Sequence, residues 1–203
     1  EAAAATEAAR RKTEEERART EFLAWHDPAT GLANKAHLKH QFVQAIAAAR
    51  ACHGSFSLLY FRIDNYGELV RQLDGEGITQ LLKRLGERVI AHFTHPDDFG
   101  RWGDREFMGM LAGAPSDAKF RTDLRRVLNA LCEPIMVDGL PLQLTLSLGT
   151  SVYPRDGESS TVLINTAIQQ AKPVSAKDLG APGTAEIHGR GSLAPAGGAP
   201  AAC

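Results

Sequence analysis

Nowhere does the 203-residue sequence hold a run of the roughly eighteen apolar residues that a membrane-spanning helix needs, and no charged-then-apolar leader opens it. The expectation is a segment that neither contacts a membrane nor carries a visible export signal. Cysteine is scarce: Cys52, Cys132 and Cys203 are far apart, odd in number and without the CxxC spacing of a metal or redox motif, which fits a reducing, cytoplasmic setting. An excess of charge is missing too. With 23 Lys plus Arg against 24 Asp plus Glu, the overall charge gives no reason to expect a nucleic-acid or membrane-surface partner. The seven histidines share no metal-ligating spacing.

What is present begins with a helix. Residues 1–26 contain no Gly or Pro, are rich in Ala, Glu and Arg, and set Glu7 before Arg11 and Glu15 before Arg19 at i,i+4 spacing. The apolar positions are mostly alanine until Phe22, Leu23 and Trp25, so this reads as a connector helix, either pairing weakly with a second copy or serving as a solvated spacer. Pro28 and Gly31 then break it. Leu38, Phe42 and Ile46 recur at helical spacing in a second helix, and FSLLYFRID (Phe56 to Asp64) is a β-prone run suited to a central strand buried on both faces. A short helical stretch from Tyr66 to Leu73 leads through DGEG to a helix over about Ile78 to Phe93, with Leu81, Leu82, Leu85 and Val89 on one face.

Two hairpins are predicted. Gly103-Asp104 reads as a two-residue Gly-X loop between FGRW and EFMGMLAG, and Asp138-Gly139 as a second turn after a helix from about Ser116 to Cys132. Ser159 to Lys172 reads as a final helix stopped by Pro173, with hydroxyl residues for its cap. Beyond it the chain turns to Gly, Ala, Pro and Ser, with a short edge strand at Thr184 to His188 and a disordered tail or linker over 189–203. Strands alternating with helices, plus two hairpins, imply a layered α/β (α+β) domain over 27–188: a central mixed sheet flanked by helices and preceded by the connector helix.

The runs LAWHDPATGLANK, FRID, RWGDREF, VDGLPLQLTLSLGTSVYPRDG and AIQQAK stand in the order seen in GGDEF domains, and the resemblance covers roughly Leu23 to His188. It is closest in style to the GGDEF half of tandem proteins that carry a cyclic-di-GMP phosphodiesterase (EAL) domain downstream. The resemblance implies a palm-like nucleotidyl-cyclase fold. In active members two GTP molecules are joined into cyclic di-GMP across a dimer, with Mg²⁺ held by carboxylates.

Carried over residue by residue, the first metal aspartate of the family falls on Arg62. The signature reads Gly103, Asp104, Arg105, Glu106, Phe107, so its second glycine and second metal carboxylate are replaced. The guanine-reading positions fall on Val70 and Thr79, and the phosphate lysine after the strand on Gly67. Of two basic residues for the terminal phosphates, one matches Lys172 and the other falls on Ala176. The product-inhibition RxxD corresponds to Thr94-His95-Pro96-Asp97, without its arginine.

Arg62 and Arg105 can pair with Asp64, Asp104 or Glu106, or bind phosphate without metal; retained Mg²⁺ catalysis would need ligands from elsewhere. Asp64 reads as a helix cap, Lys172 as a helix-end lysine favoured by the dipole, and Trp102 and Phe107 as packing residues. Arg62, Asp64, Gly103, Asp104, Arg105, Glu106 and Lys172 thus outline a vestigial nucleotide site with no catalytic residue and no metal ligand set. The expectation is a non-enzymatic regulatory module of bacterial cyclic-di-GMP signalling, with no cofactor unless GTP and Mg²⁺ bind without reaction. Its partner would be another protein or a downstream EAL domain, with homodimerisation through the N-terminal helix as a further option.

Overall fold

The computed structural model describes residues 2–174. The expected edge strand at 184–188 and the tail at 189–203 lie outside them.

Helix α1 (Ala2–Trp25) leads to a turn and then to α2 (Lys35–Ala51), whose N-terminus is capped by Asn34 accepting from the His37 amide at 2.9 Å. Every described side chain of α1 is exposed, as its alanine-rich, charge-laced sequence leads one to expect; Glu7–Arg11 and Arg10–Glu14 pair along its surface. A 24-residue helix spans about 36 Å, so α1 has the reach of a connector.

Strand β1 (Phe56–Ile63) is followed by α3 (Tyr66–Gln72) and α4 (Gly75–Ile90). The α4 helix starts earlier than the sequence suggests, because the Asp74 carboxylate caps the Gly77 amide at 2.7 Å and so stabilises a first turn that holds two glycines. A 3₁₀ turn (Pro96–Asp98) opens the hairpin of β2 (Phe99–Arg101) and β3 (Glu106–Ala112). Helix α5 (Ala118–Cys132) precedes the small hairpin of β4 (Ile135–Val137) and β5 (Leu140–Leu142). Its turn residues Asp138 (φ 49°) and Gly139 (φ 79°) both adopt positive φ, the two-residue turn that an Asp-Gly pair favours. The described chain ends with β6 (Leu146–Tyr153), α6 (Ser160–Gln169) and β7 (Lys172–Val174). Ser159 caps α6 as its hydroxyl predicted, accepting from the Val162 amide at 3.4 Å.

The main sheet runs in the order β2-β3-β1-β6-β7. The α+β class stands, but every ladder of this sheet is antiparallel, where a mixed sheet was expected. Strand direction depends on how the intervening helices and hairpins turn the chain back, which alternation of helices and strands alone does not reveal. The period of two then divides the core. Leu59, Phe61 and Ile63 face α4 and α5 in one cluster with Leu81, Leu85, Leu124 and Val127, whereas Leu58 and Tyr60 face α2 and α6 with Phe42, Leu38 and Leu163. Strand β1 is therefore buried on both sides, as its unbroken apolar run predicts.

Two further differences follow from tertiary packing. The final helix stops at Gln169, and Lys172 with Pro173 forms edge strand β7, where proline's missing N–H costs no ladder bond if it faces outward. The seat of α6 on the sheet depends on Gly149, since a Cβ there would land on the Ala167 carbonyl oxygen. Gly149→Ala should therefore destabilise the fold by about 1–3 kcal/mol, read as a lower midpoint in urea denaturation with little change in slope.

Candidate functional site

The antiparallel register aligns Glu106, Arg62, Ser147 and Pro173 in one row across β3, β1, β6 and β7. Because side chains alternate along a strand, residues of this row share the sheet face that carries Tyr60, and this is where the chemistry collects. Arg62 reaches along its own strand end to Asp64, Nε to Oδ1 at 2.9 Å, and Ser147 Oγ donates to the other carboxylate oxygen at 2.7 Å. The Asp64 hydrogen bond pushes the Arg62 guanidinium further above its ordinary value, so this cation is held charged.

Glu106 takes a different partner. The Tyr60 hydroxyl, on the diagonal position of the neighbouring strand, donates to Glu106 Oε1 at 2.7 Å. Oε2 of Glu106 lies over Gly103, where a Cβ would meet it, so a side chain at this position would push the Glu106 carboxylate aside; no positive φ calls for the glycine. Burial first, and then the Glu106 hydrogen bond and charge, raise the Tyr60 phenol well above its usual 10.0; the charges of Arg62 and Arg105 oppose the shift.

The loop itself is wider than a two-residue turn. The last ladder pair is Arg101 with Phe107, and the amides of Trp102 (2.8 Å) and Gly103 (3.1 Å) both donate to the Glu106 carbonyl. Arg101 holds this loop from below: its Nε donates to the Gly103 carbonyl at 3.1 Å, Nη2 to that of Asp104 at 3.2 Å, and Nη1 to the Asp27 carboxylate at 3.1 Å. Asp104 and Arg105 are exposed, and Arg105 contributes its backbone, accepting the Ile63 amide at 3.0 Å. Trp102 is buried against Phe42, with Lys35 Nζ 4.6 Å from its ring centroid.

Of the residues singled out from sequence, the structure thus brings together Arg62, Asp64, Gly103 and Glu106, and sets Asp104 and Arg105 on the loop beside them. Lys172 does not join. It pairs with Leu148, one position out of phase with the Ser147 row, which directs it to the opposite face of the sheet, and it lies in an edge strand rather than at a helix end. Asp64 is not a cap either: Asn65 occupies the N-cap of α3 and makes no side-chain cap bond. Val70 is exposed on α3, and Thr79 donates its hydroxyl to the Gly75 carbonyl. Tyr60, Ser147, Arg101 and Asp27 were not anticipated. The first two lie within apolar strand runs and join the site only through register, while Arg101 and Asp27 are far apart in sequence.

Comparison with known proteins agrees with this geometry. The family model described as diguanylate cyclase, GGDEF domain, matches residues 24–177. This chain belongs to the GGDEF domain family. It is 30% identical over 145 residues to the cyclic di-GMP phosphodiesterase NbdA of Pseudomonas aeruginosa, covering 71% of this chain and 18% of that protein. To MucR of the same organism, a bifunctional diguanylate cyclase/cyclic di-GMP phosphodiesterase, it is 29% identical over 160 residues, covering 78% of this chain and 23% of that one. The chain therefore spans about a fifth of the length of these relatives. Among solved structures, a sensory box/GGDEF family protein from Caulobacter crescentus superposes with a TM-score of 0.65 at 28% identity, covering 71% of this chain and 94% of that one. The FimX GGDEF domain of Pseudomonas aeruginosa superposes with 0.63 at 26%, covering 71% and 90%. No helix among the described residues is long and apolar enough to cross a membrane.

Two outcomes are expected from the site. Tyr60 binds its proton more tightly in the folded than in the unfolded chain, so its contribution to stability is full below the ordinary phenol value of 10.0 and is lost as pH rises toward the folded value. Phenolate absorbance should accordingly show one late-titrating tyrosine that Tyr60→Phe removes. Arg101→Ala strips three hydrogen bonds from a mostly buried position, two of them holding the loop, and should cost about 1.5–3 kcal/mol while increasing amide hydrogen exchange at Trp102 and Gly103.

Proposed function

We propose that this GGDEF domain does not cyclise GTP and acts instead as a regulatory, protein-interacting module of cyclic-di-GMP signalling. The observation that carries the reading is the Arg62–Asp64 ion pair at the end of β1. By the family resemblance, Arg62 occupies the position of a metal-binding carboxylate. A fixed guanidinium there repels a divalent cation, and the remaining acid, Asp64, already accepts from both Arg62 and Ser147. Glu106 is engaged by Tyr60, so neither carboxylate is left with both oxygens open for Mg²⁺. Guanine recognition is weakened in the same sense, since Val70 offers no hydrogen bond.

The exposed α1 fits a helix that passes a signal to the domain or pairs with a second copy. The activities of the relatives, a phosphodiesterase and a bifunctional enzyme, favour a parent in which the tail leads to an EAL domain. In such a parent a second reading is a domain that binds GTP without turnover and adjusts its neighbour.

Calorimetric titration with GTP and then cyclic di-GMP, with and without Mg²⁺, followed by chromatography, tests these readings. The expected result is no cyclic di-GMP formed under any condition. Saturable GTP heat without product would select the allosteric reading, and enzyme-dependent cyclic di-GMP would overturn the proposal.

A further inference from the structure

One cluster lies apart from the Arg62 row and draws on three elements. His26 follows the last turn of α1, His37 lies in the first turn of α2, and Asp97 sits on the 3₁₀ turn before β2. One ligand atom from each lies within 4.8 Å of the others. The separations to Asp97 are 3.9 Å from His26 Nε2 to Oδ1 and 4.0 Å from His37 Nε2 to Oδ2. These are too long for hydrogen bonds, so three groups able to donate electron pairs lie close together without bonding one another.

The surroundings orient the rings for a cation. His26 Nδ1 is 3.2 Å from the Phe22 carbonyl; a hydrogen bond there places the proton on Nδ1 and leaves the Nε2 lone pair aimed at Asp97. The Phe22 ring stacks on His26 at 4.4 Å, and the two imidazoles meet edge to face at 5.8 Å. His37 Nδ1 is buried without a hydrogen-bond partner, so the polar contacts of that ring are concentrated at Nε2; the Gln41 amide, 3.1 Å from Nε2, is the donor that a cation would displace there. Trp25 packs against His37 at 5.1 Å and screens one side of the cluster.

We propose that His26, His37 and Asp97 form a binding site for a first-row transition-metal dication of the Zn²⁺ type, with water completing the coordination. Two imidazoles and one carboxylate suit such an ion better than Mg²⁺, which takes oxygen ligands. Donors around a tetrahedral ion at about 2.0–2.1 Å stand roughly 3.3 Å apart, so a cluster whose ligand atoms lie within 4.8 Å of one another has to contract on binding, with Asp97 and the histidine side chains both moving inward. The Asp97 side chain is 45% exposed and rides on a single 3₁₀ turn, which leaves room for its share of that movement. Bound metal would tie the exit of α1 to the body of the domain beside the signature hairpin, fixing the angle at which the connector helix leaves. Asp97 gains a role that does not need the arginine absent from the THPD stretch. The site is independent of whether the domain binds or turns over GTP.

The test uses the untagged full chain, stripped with chelator and titrated with Co²⁺, reading its visible absorption bands and the quenching of Trp25 fluorescence. One equivalent per chain is expected, displaced by Zn²⁺ and lacking a thiolate charge-transfer band. His26→Ala, His37→Ala and Asp97→Asn should each weaken binding at least about tenfold, whereas His92→Ala leaves it unchanged. Added Zn²⁺ should raise the melting temperature of the parent chain and not of Asp97→Asn, which decides the matter even if a histidine variant folds poorly. Absence of Co²⁺ binding by the parent chain, or binding indifferent to Asp97→Asn, would overturn the assignment.

Discussion

The backbone of the turn between α1 and α2 lies directly against strand β2, and the rest of the site hangs on that contact. Ala33 accepts the Arg101 amide at 2.8 Å and bridges to Gly100, where any side chain would strike the Ala33 carbonyl. The approach brings the Asp27 carboxylate, which already accepts from the Thr30 amide and hydroxyl, within 3.1 Å of Arg101. One guanidinium, 16% exposed, therefore joins the turn after α1 to the carbonyls of the signature loop. Because breaking a mostly buried pair leaves the other charge desolvated, this link ties the turn after α1 to the loop more firmly than a surface ion pair would.

The polar row across the sheet is a second consequence of backbone geometry. Antiparallel pairing on both sides of β1 sets Glu106 and Ser147 beside Arg62, and Tyr60 lies one diagonal step away. Two hydrogen-bonded sets result at the open end of an otherwise apolar strand, Tyr60 with Glu106 and Arg62 with Asp64 and Ser147. Arg62 and Asp64 are 37% and 28% exposed, so solvent moderates their charge, and the hydrogen bonds to Ser147 and Tyr60 fix geometry as much as they add energy. This self-contained arrangement fits the proposed role, in which the domain transmits a state and does not process a nucleotide.

Local chemistry made much of the fold legible. The β1 run, the apolar stripe of α4, the Ser159 cap and the Asp138-Gly139 turn are each decided by residues within a few positions of one another, and the ordered motifs around them identified the family. The cluster of Arg62, Asp64, Gly103 and Glu106 was legible as well, because the resemblance placed all four at one strand end and the adjoining hairpin. The width of the signature loop was not, since it is set by Arg101 clasping two carbonyls and by Glu106 folding over Gly103. Nor was the role of Asp64, whose acceptor capacity is claimed by Ser147 from a strand far along the chain.

Sequence alone determined most of the helices and strands, the faces that are apolar and the family resemblance, for these depend on side-chain type and short-range spacing. Tertiary structure decided strand direction and register. A shift of one residue moves a side chain to the other face, which is why Lys172 leaves the site and Ser147 enters it. It also decided that His26, His37 and Asp97 meet, since no spacing rule brings a helix end, a helix start and a distant turn to one point. The packing of the α1–α2 turn, Ala33 included, against β2 and the 3₁₀ turn before it does so.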